Sequence, residues 1–333
     1  MNSPLYLGIE IGGTKLQLGL GAGDGTIARL VRRDVIPLAA ADGVRSQIVE
    51  AFRALDATVE AIGVGFGGPV DAGRGIVITS NQIGGWAGFP LRDWLRDTLG
   101  VSVVILQNDA DTAALGEARF GVGRGLSPIL YVNSGSGIGG GLIVDGKIYR
   151  GSGVGAMEIG HLIMEEAELE PGETETGRID DGPTTLEALA SGWGMARSAS
   201  QFVELTRRLG EDRYGLLAMA GGEPGRITMP MVVRSAREHP RGFCAARLMD
   251  ATTAMGRALA HAVTLLAPRR VILGGGVSLI GDDLWLDPIR RALDERVFPP
   301  FRGTYDVVRA ELGEDVVVHG ALALAKDAWE HDQ

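Results

Sequence analysis

Apolar and polar positions alternate at the start of the chain. Leu5-Tyr6-Leu7-Gly8-Ile9-Glu10-Ile11 predicts a strand, Gly12-Gly13-Thr14-Lys15 a turn, and Leu16-Gln17-Leu18-Gly19-Leu20 a second strand. Two apolar runs joined across a Gly-Gly turn are a hairpin signal. A third strand is expected around Thr26–Val35. Between Gly43 and Leu55 the apolar residues Val44, Ile48, Ala51, Phe52 and Leu55 take helical spacing. Ala61–Phe66 reads as a short strand ending in Gly67-Gly68-Pro69, and Val101–Leu106 as another. A helix begins at Asn108-Asp109, is favoured by Ala113, Ala114 and Ala118, and ends at Gly121.

The pattern then restarts. Ile129–Asn133 and Gly139–Val144 predict strands separated by Ser134-Gly135-Ser136-Gly137. Residues 165–184 are acidic and rich in Gly, Pro and Thr, as expected of an exposed loop. Leu186–Pro268 is mostly helical in spacing, with Phe243–Leu266 the longest piece. Val271-Ile272-Leu273 predicts a strand ending in Gly274-Gly275-Gly276, Tyr305–Glu311 another, and Gly320–Trp329 a terminal helix. Strand, glycine turn, strand thus occurs at Leu5–Leu20 and again at Ile129–Val144, which implies two related halves.

Length and charge narrow the function. A chain of 333 residues predicts two domains or one large α/β unit. The 32 Lys and Arg against 42 Asp and Glu leave a net charge of −10, so phosphate-backbone binding is not expected as the main activity. The lone Cys244 excludes a disulfide framework and any multi-cysteine metal site. No apolar run approaches the ~18 residues of a membrane span, and Met1-Asn2-Ser3-Pro4 opens no signal segment. A cytoplasmic protein with no membrane or nucleic-acid partner is expected.

Glycine is the outlier, at 51 of 333 residues against a usual ~7%. A glycine turn between strands lets backbone N–H groups approach an anion. Three turns follow strands directly: Gly12-Gly13-Thr14-Lys15, Gly135-Ser136-Gly137 and Gly274-Gly275-Gly276. Together they look like two phosphate-gripping hairpins and a third loop for a base or ribose. G-x-G-x-x-G occurs at Gly63-Gly65-Gly68 and at Gly135-Gly137-Gly140, but neither opens a helix, so a dinucleotide fold is not expected. The P-loop pattern is absent. Glu158 and His161 form one E-x-x-H pair, but a bundle di-iron site needs a second copy. Asp109 sits at a strand-to-helix junction, where it would serve either as a helix N-cap or as a general base at the mouth of a sheet.

Six segments, in order, resemble the ROK (repressor, open reading frame, kinase) family. They are Gly8–Lys15, Gly63–Asp71, Asn108–Asp111 with Ala113–Glu117, Gly135–Gly141, Glu158–His161 and Val271–Ser278. The resemblance covers essentially the whole chain. It implies an α/β fold of the two-domain actin, hexokinase and heat-shock ATPase type, with a cleft between domains. A smaller lid domain of 1–118 plus a C-terminal helix at about 318–333, and a larger domain of 119–317, are expected. The implied activity is ATP- and Mg²⁺-dependent hexose phosphorylation, most simply of the glucose 6-hydroxyl. An N-acetylmannosamine, N-acetylglucosamine or fructose kinase, or a non-catalytic sugar sensor, stands as the alternative, and a homodimer is expected.

The resemblance also assigns roles. Asp109 matches the catalytic base, and Asn108 beside it a sugar ligand. Glu158, His161, Glu187 and Asn81 match further sugar ligands, and Gly67 and Gly68 let the chain pass close to the sugar. Glu10 matches the acid near Mg²⁺, acting through water. Gly12, Gly13, Thr14, Lys15, Ser136 and Gly137 would meet phosphates, and Gly275 and Gly276 adenosine. Many family members carry a Cys-x-Cys-x-x-x-x-Cys zinc cluster between the positions of His161 and Glu187. This chain has no cysteine there and Thr185 stands in place of the last, so no zinc is expected.

Overall fold

The computed structural model describes residues 4–36, 40–80, 82–152, 154–164, 184–208 and 212–333. Strands β1 (Tyr6–Ile11) and β2 (Lys15–Gly21) form the expected hairpin. β3 (Arg29–Asp34) pairs outside β2, and its charged residues Arg29, Arg32, Arg33 and Asp34 suit a sheet edge. α1 (Ala40–Leu55) buries Ala41, Val44, Ile48, Ala51 and Leu55 as one stripe. β4 (Ala61–Phe66) follows, then the small ribbon of β5 (Val70–Asp71) and β6 (Ile76–Val77), α2 (Leu91–Leu99) and β7 (Val103–Asn108). The first sheet runs β3-β2-β1-β4-β7, with β1, β4 and β7 parallel.

Helix α3 (Asp109–Arg119) leads into the second half: β8 (Ile129–Ser134), β9 (Ile138–Val144) and β10 (Lys147–Ile148). A helical stretch follows, of α4 (Leu186–Ala190), α5 (Gly192–Arg208), α6 (Leu216–Met219), α7 (Met229–Glu238) and α8 (Phe243–Leu266). β11 (Arg270–Gly274), α9 (Leu286–Arg296), β12 (Asp306–Arg309) and α10 (Val316–Asp332) complete the chain. The second sheet runs β10-β9-β8-β11-β12, again a hairpin followed by parallel strands. The echo between Leu5–Leu20 and Ile129–Val144 is therefore two sheets of one topology. The loop expected at 165–184 lies, apart from Thr184, outside the described residues.

The short strands β5, β6 and β10 were not expected, and two helices also depart from the pattern. Helix α2 was not expected, because it buries only Leu91 and Leu95 among charged residues. Helix α10 starts at Val316, before the expected Gly320. Val316-Val317-Val318 is β-branched and a poor helix start by propensity, but all three valines are buried. Packing of the helix between other elements overrides the local preference.

Many glycines serve that packing. Register pairs Gly19 with Gly8 and Gly8 with Gly63, so three strands present a row without side chains. Helix α10 lies on this row. A Cβ on Gly8 would sit 2.8 Å from the Val318 carbonyl oxygen, and one on Gly63 would overlap that of Ala321. Helix α3 lies on the second sheet in the same manner: a Cβ on Gly141 would be 2.7 Å from the Ala114 Cβ. The two helices cross where Gly116 meets Gly320. A Cβ on Gly116 would be 2.6 Å from Val316 O, and one on Gly320 would overlap Thr112 O. Gly63 and Gly65 of the first G-x-G-x-x-G are thus helix-packing residues, since a Cβ on Gly65 would overlap the Val317 side chain.

Separate apolar cores fill the two halves, and a third, with Ala113, Ala114, Tyr131, Ile272, Val316 and Val317, joins them through α3 and α10. Fully buried Glu117 pins this joint. It accepts backbone N–H bonds from Val122 (3.0 Å), Glu311 (2.9 Å) and Leu312 (2.9 Å), which ties the exit of α3 to the approach to α10.

Candidate active site

Asn108 ends β7 and caps α3. Its Oδ1 accepts from the amides of Ala110 (2.8 Å) and Asp111 (3.3 Å), and its Nδ2 donates to Gly68 O at 3.1 Å. An N-cap asparagine satisfies the open amides of the first turn. The cap role weighed for Asp109 therefore belongs to Asn108.

Asp109 faces the glycine turns instead. A Cβ on Gly67 would lie 3.4 Å from Asp109 Oδ2 and 3.4 Å from Gly12 Cα, so carboxylate and both glycines meet at one point. The amide of Ala110 also donates to Asp109 Oδ1 at 2.8 Å. On the next residue, the Ala110 Cβ abuts Gly139 of β9. The first turn of α3 thus forms the seam between halves. Burial pushes Asp109 up to about 7; the charge of Glu10 adds to this, the amides of Ala110 and Asp109 oppose it, and Glu158 adds a little more.

Glu10 lies in a polar row that register builds across the first sheet: Gln17, Glu10, Gly65, Gln107. Gln17 Nε2 donates to Glu10 Oε2 at 2.6 Å, and Lys15 Nζ lies 3.3 Å from Glu10 Oε1. Burial raises the Glu10 carboxyl, while Lys15 and Gln17 hold it down. Lys15 also donates to Glu314 O at 2.9 Å, so the structure gives this lysine to Glu10 and the approach to α10. Fully buried Gln17 also donates to Glu314 O, at 2.9 Å, and accepts from Arg32 Nε at 2.7 Å. A polar glutamine inside the apolar run Leu16-Gln17-Leu18 is the sequence signal for this buried network.

The second hairpin carries Ser136 and Gly137. Glu187 Oε2 accepts from Ile138 N at 2.8 Å, and a Cβ on Gly137 would be 2.5 Å from it. Glu187, on α4 capped by the Thr185 hydroxyl, therefore braces the hairpin. Gly275 has φ +83, and a Cβ there would overlap Ser134 O, so its turn closes over the end of β8. Glu158 and His161 are exposed, on a turn whose Gly160 packs against Ile138 O. Glu158 is near enough to raise both Asp109 and Asp111. Asn81 lies outside the described residues, between Ser80 and the Gln82 that covers Gly13.

Asp111 belongs to the Asn108–Asp111 segment, and the resemblance assigns it no role. It is buried, its Oδ1 has no hydrogen-bond partner, and burial pushes it up to about 7 against the pull of Arg150. Once the Gln107 amide is turned so that its oxygen faces the guanidinium, it accepts from Arg150 Nε at 3.1 Å. Among the described residues no three His, Cys, Asp or Glu side chains cluster as a metal site, and no helix is long and apolar enough to cross a membrane.

The sequence pattern of the ROK family matches residues 6–328. The chain belongs to the ROK family. This ROK-family chain is 32% identical over 328 residues to a glucokinase of Thermotoga maritima, covering 96% of this chain and 97% of that one. It is 33% identical over 327 residues to a glucokinase of Streptomyces coelicolor, covering 97% and 98%. Among solved structures, a ROK family glucokinase from Streptomyces griseus in complex with glucose and AMPPNP superposes with a TM-score of 0.78 at 30% identity, covering 97% and 99%. The fold is thus the actin, hexokinase and heat-shock ATPase type, and in this ROK-family chain the first turn of α3 lies against Gly12 and Gly67 through Asp109 and against Gly139 of β9 through Ala110.

Proposed function

We propose that this protein transfers the γ-phosphoryl group of ATP to the 6-hydroxyl of glucose, with Asp109 as general base. The observation that carries the proposal is the Asp109 carboxylate, set at the seam of the two halves against Gly12 and Gly67 and held at about 7. A sugar hydroxyl is a poor nucleophile. As its oxygen bonds to the γ-phosphorus, its proton passes to Asp109, and the bond from that phosphorus to the bridging oxygen of ADP breaks. The glucokinase relatives, and the glucose and AMPPNP held by the Streptomyces griseus enzyme, support this substrate and this donor.

The remaining roles follow the site. Gly67, Gly68, Asn108, Glu158, His161 and Glu187, with Asn81, would surround the sugar. The turns at Gly12–Thr14 and Ser136–Gly137 would hold phosphates, and Gly275 and Gly276 adenosine. Mg²⁺ would neutralise phosphate charge. Glu10 suits a hold through water, since both its carboxylate oxygens already face Lys15 and Gln17. The first sheet with α10 is proposed to close over residues 119–317 once sugar is bound, which excludes water from the phosphoryl group.

A coupled ADP-release assay with MgATP over glucose, mannose, fructose, N-acetylglucosamine and N-acetylmannosamine tests the proposal. Glucose is expected to give the highest kcat/KM; a higher value for another sugar would reassign the substrate. No turnover with any sugar, with ATP or polyphosphate, would end the kinase proposal. The base must be ionised to act, so kcat/KM for glucose is expected to fall as pH drops through about 7 and to level off above it. A flat profile between about pH 5 and 8 would separate Asp109 from the proton transfer.

A further inference from the structure

Among the described residues, the most exposed aromatic side chain is an indole in the second half, ahead of Phe298 and Tyr149. Trp193 is 75% exposed, whereas Trp86 and Trp285 are buried. An indole offers a flat apolar surface of about 150–250 Å², and its exposure forgoes burial that the fold obtains elsewhere.

Its position is set by two glycine turns. Trp193 is the second residue of α5, where backbone amides are normally open. The amide of Gly192 donates to Gly135 O at 2.9 Å and that of Trp193 to Ser136 O at 3.2 Å, so the helix starts on the second hairpin. A Cβ on Gly192 would lie 3.0 Å from Gly135 O and 3.4 Å from Val277 Cγ2. The same spot therefore touches the turn after Gly275 and Gly276. Two residues beyond Val277, Leu279 is also exposed. Backbone-lined turns suited to phosphate and ribose thus converge on a residue that carries an exposed indole, with a second apolar side chain on the adjoining turn.

We infer that Trp193 is the platform for the base of the phosphoryl donor: a purine stacks on the indole while its phosphates rest on Ser136 and Gly137. The platform presupposes the kinase activity proposed above. It makes donor choice depend on the base, so a donor of phosphates alone gains nothing from it.

The test compares wild type with Trp193→Ala and Trp193→Phe. Trp193→Ala is expected to raise KM for ATP roughly 5- to 150-fold, the range of one lost base–aromatic stack. kcat and KM for glucose stay within about twofold, and Trp193→Phe recovers most of the ATP affinity. Tripolyphosphate, as a competitive inhibitor, is expected to bind wild type and Trp193→Ala alike. Unchanged KM for ATP in Trp193→Ala overturns the platform, as does an equal loss for tripolyphosphate. If either variant misfolds, wild type decides alone: saturating ADP, verified by calorimetry, must quench tryptophan emission, and no quench overturns the inference. ADP binding and quench are read without sugar. A failure of sugar phosphorylation is thus scored against the kinase proposal, while failure of the quench is scored against Trp193.

Discussion

Asp109→Asn is expected to lower kcat by at least ~10²-fold, the scale of a lost general base, while sugar binding persists and thermal stability rises. The stability gain follows from the proton balance. The carboxyl sits at about 7 in the fold against 3.8 ordinarily. Between those values the folded state holds more protons than the unfolded, so wild-type stability falls as pH rises through this window. Above about 7 the penalty is complete and constant. The asparagine carries no charge to bury and keeps the oxygen that receives the Ala110 amide. Its advantage over wild type should be largest above pH 7 and absent below about 4. Melting curves at about pH 4 and pH 8, with kcat and sugar KM at the higher pH, check both halves. An unchanged kcat in the folded variant would place the base elsewhere. A lower melting temperature at the higher pH would contradict the burial that raises the carboxyl. A side chain strained for its chemistry at the expense of stability is a common cost of function.

Gly320→Ala should act at a distance on both stability and rate. The added methyl overlaps Thr112 O, a backbone atom of the helix that begins with Asp109. No rotamer relieves such a contact, so α3 and α10 must part. Overpacking a rigid core costs about 1–3 kcal/mol or more, and contact with backbone on both sides puts this case at about 3 kcal/mol or above. Displacing α3 also moves the base relative to Gly12 and Gly67, and a shift of ~1 Å can cost ~10²-fold in rate. ADP binding, for which the second half is proposed to supply the base and ribose contacts, should weaken far less than kcat falls. Gly225→Ala is the control, since nothing lies within 4 Å of its added methyl, and it should stay within about 0.5 kcal/mol of wild type. Chemical denaturation and kcat for the two variants check this. A Gly320→Ala protein as stable and active as wild type would show that the helix crossing is looser than the contacts imply.

Much of the fold is legible in the sequence. Period-two apolar runs and a Gly-Gly turn specify a hairpin locally, because neighbouring residues alone decide them. The same signature at Leu5–Leu20 and Ile129–Val144 therefore disclosed two like halves, now seen as two sheets of one strand order. Phe243–Leu266 was read with its observed ends, since a long amphipathic stripe carries its own signal. Asp109, Glu10 and the glycine turns were legible as motifs of the ROK family.

Other features needed the tertiary structure, because they are set by residues far apart in sequence. The row Gly19, Gly8, Gly63 exists only once three strands are in register and a helix from the chain's far end lies on them. Sequence could not separate these glycines from those that hold phosphate, since both lack a side chain for the same reason: another group must come close. Asn108 and Asp109 are neighbours of similar chemistry. Only the direction each side chain takes decided that the first caps the helix and the second faces Gly12 and Gly67. Lys15 was read toward phosphate, but its partners Glu10 and Glu314 come from the neighbouring strand and the approach to the last helix. The raised proton affinity of Asp109 is likewise a tertiary property, made by burial and by charges on separate elements. The sequence alone determined which residues could do the chemistry; the packing of α3 and α10 between the two sheets decided where they meet.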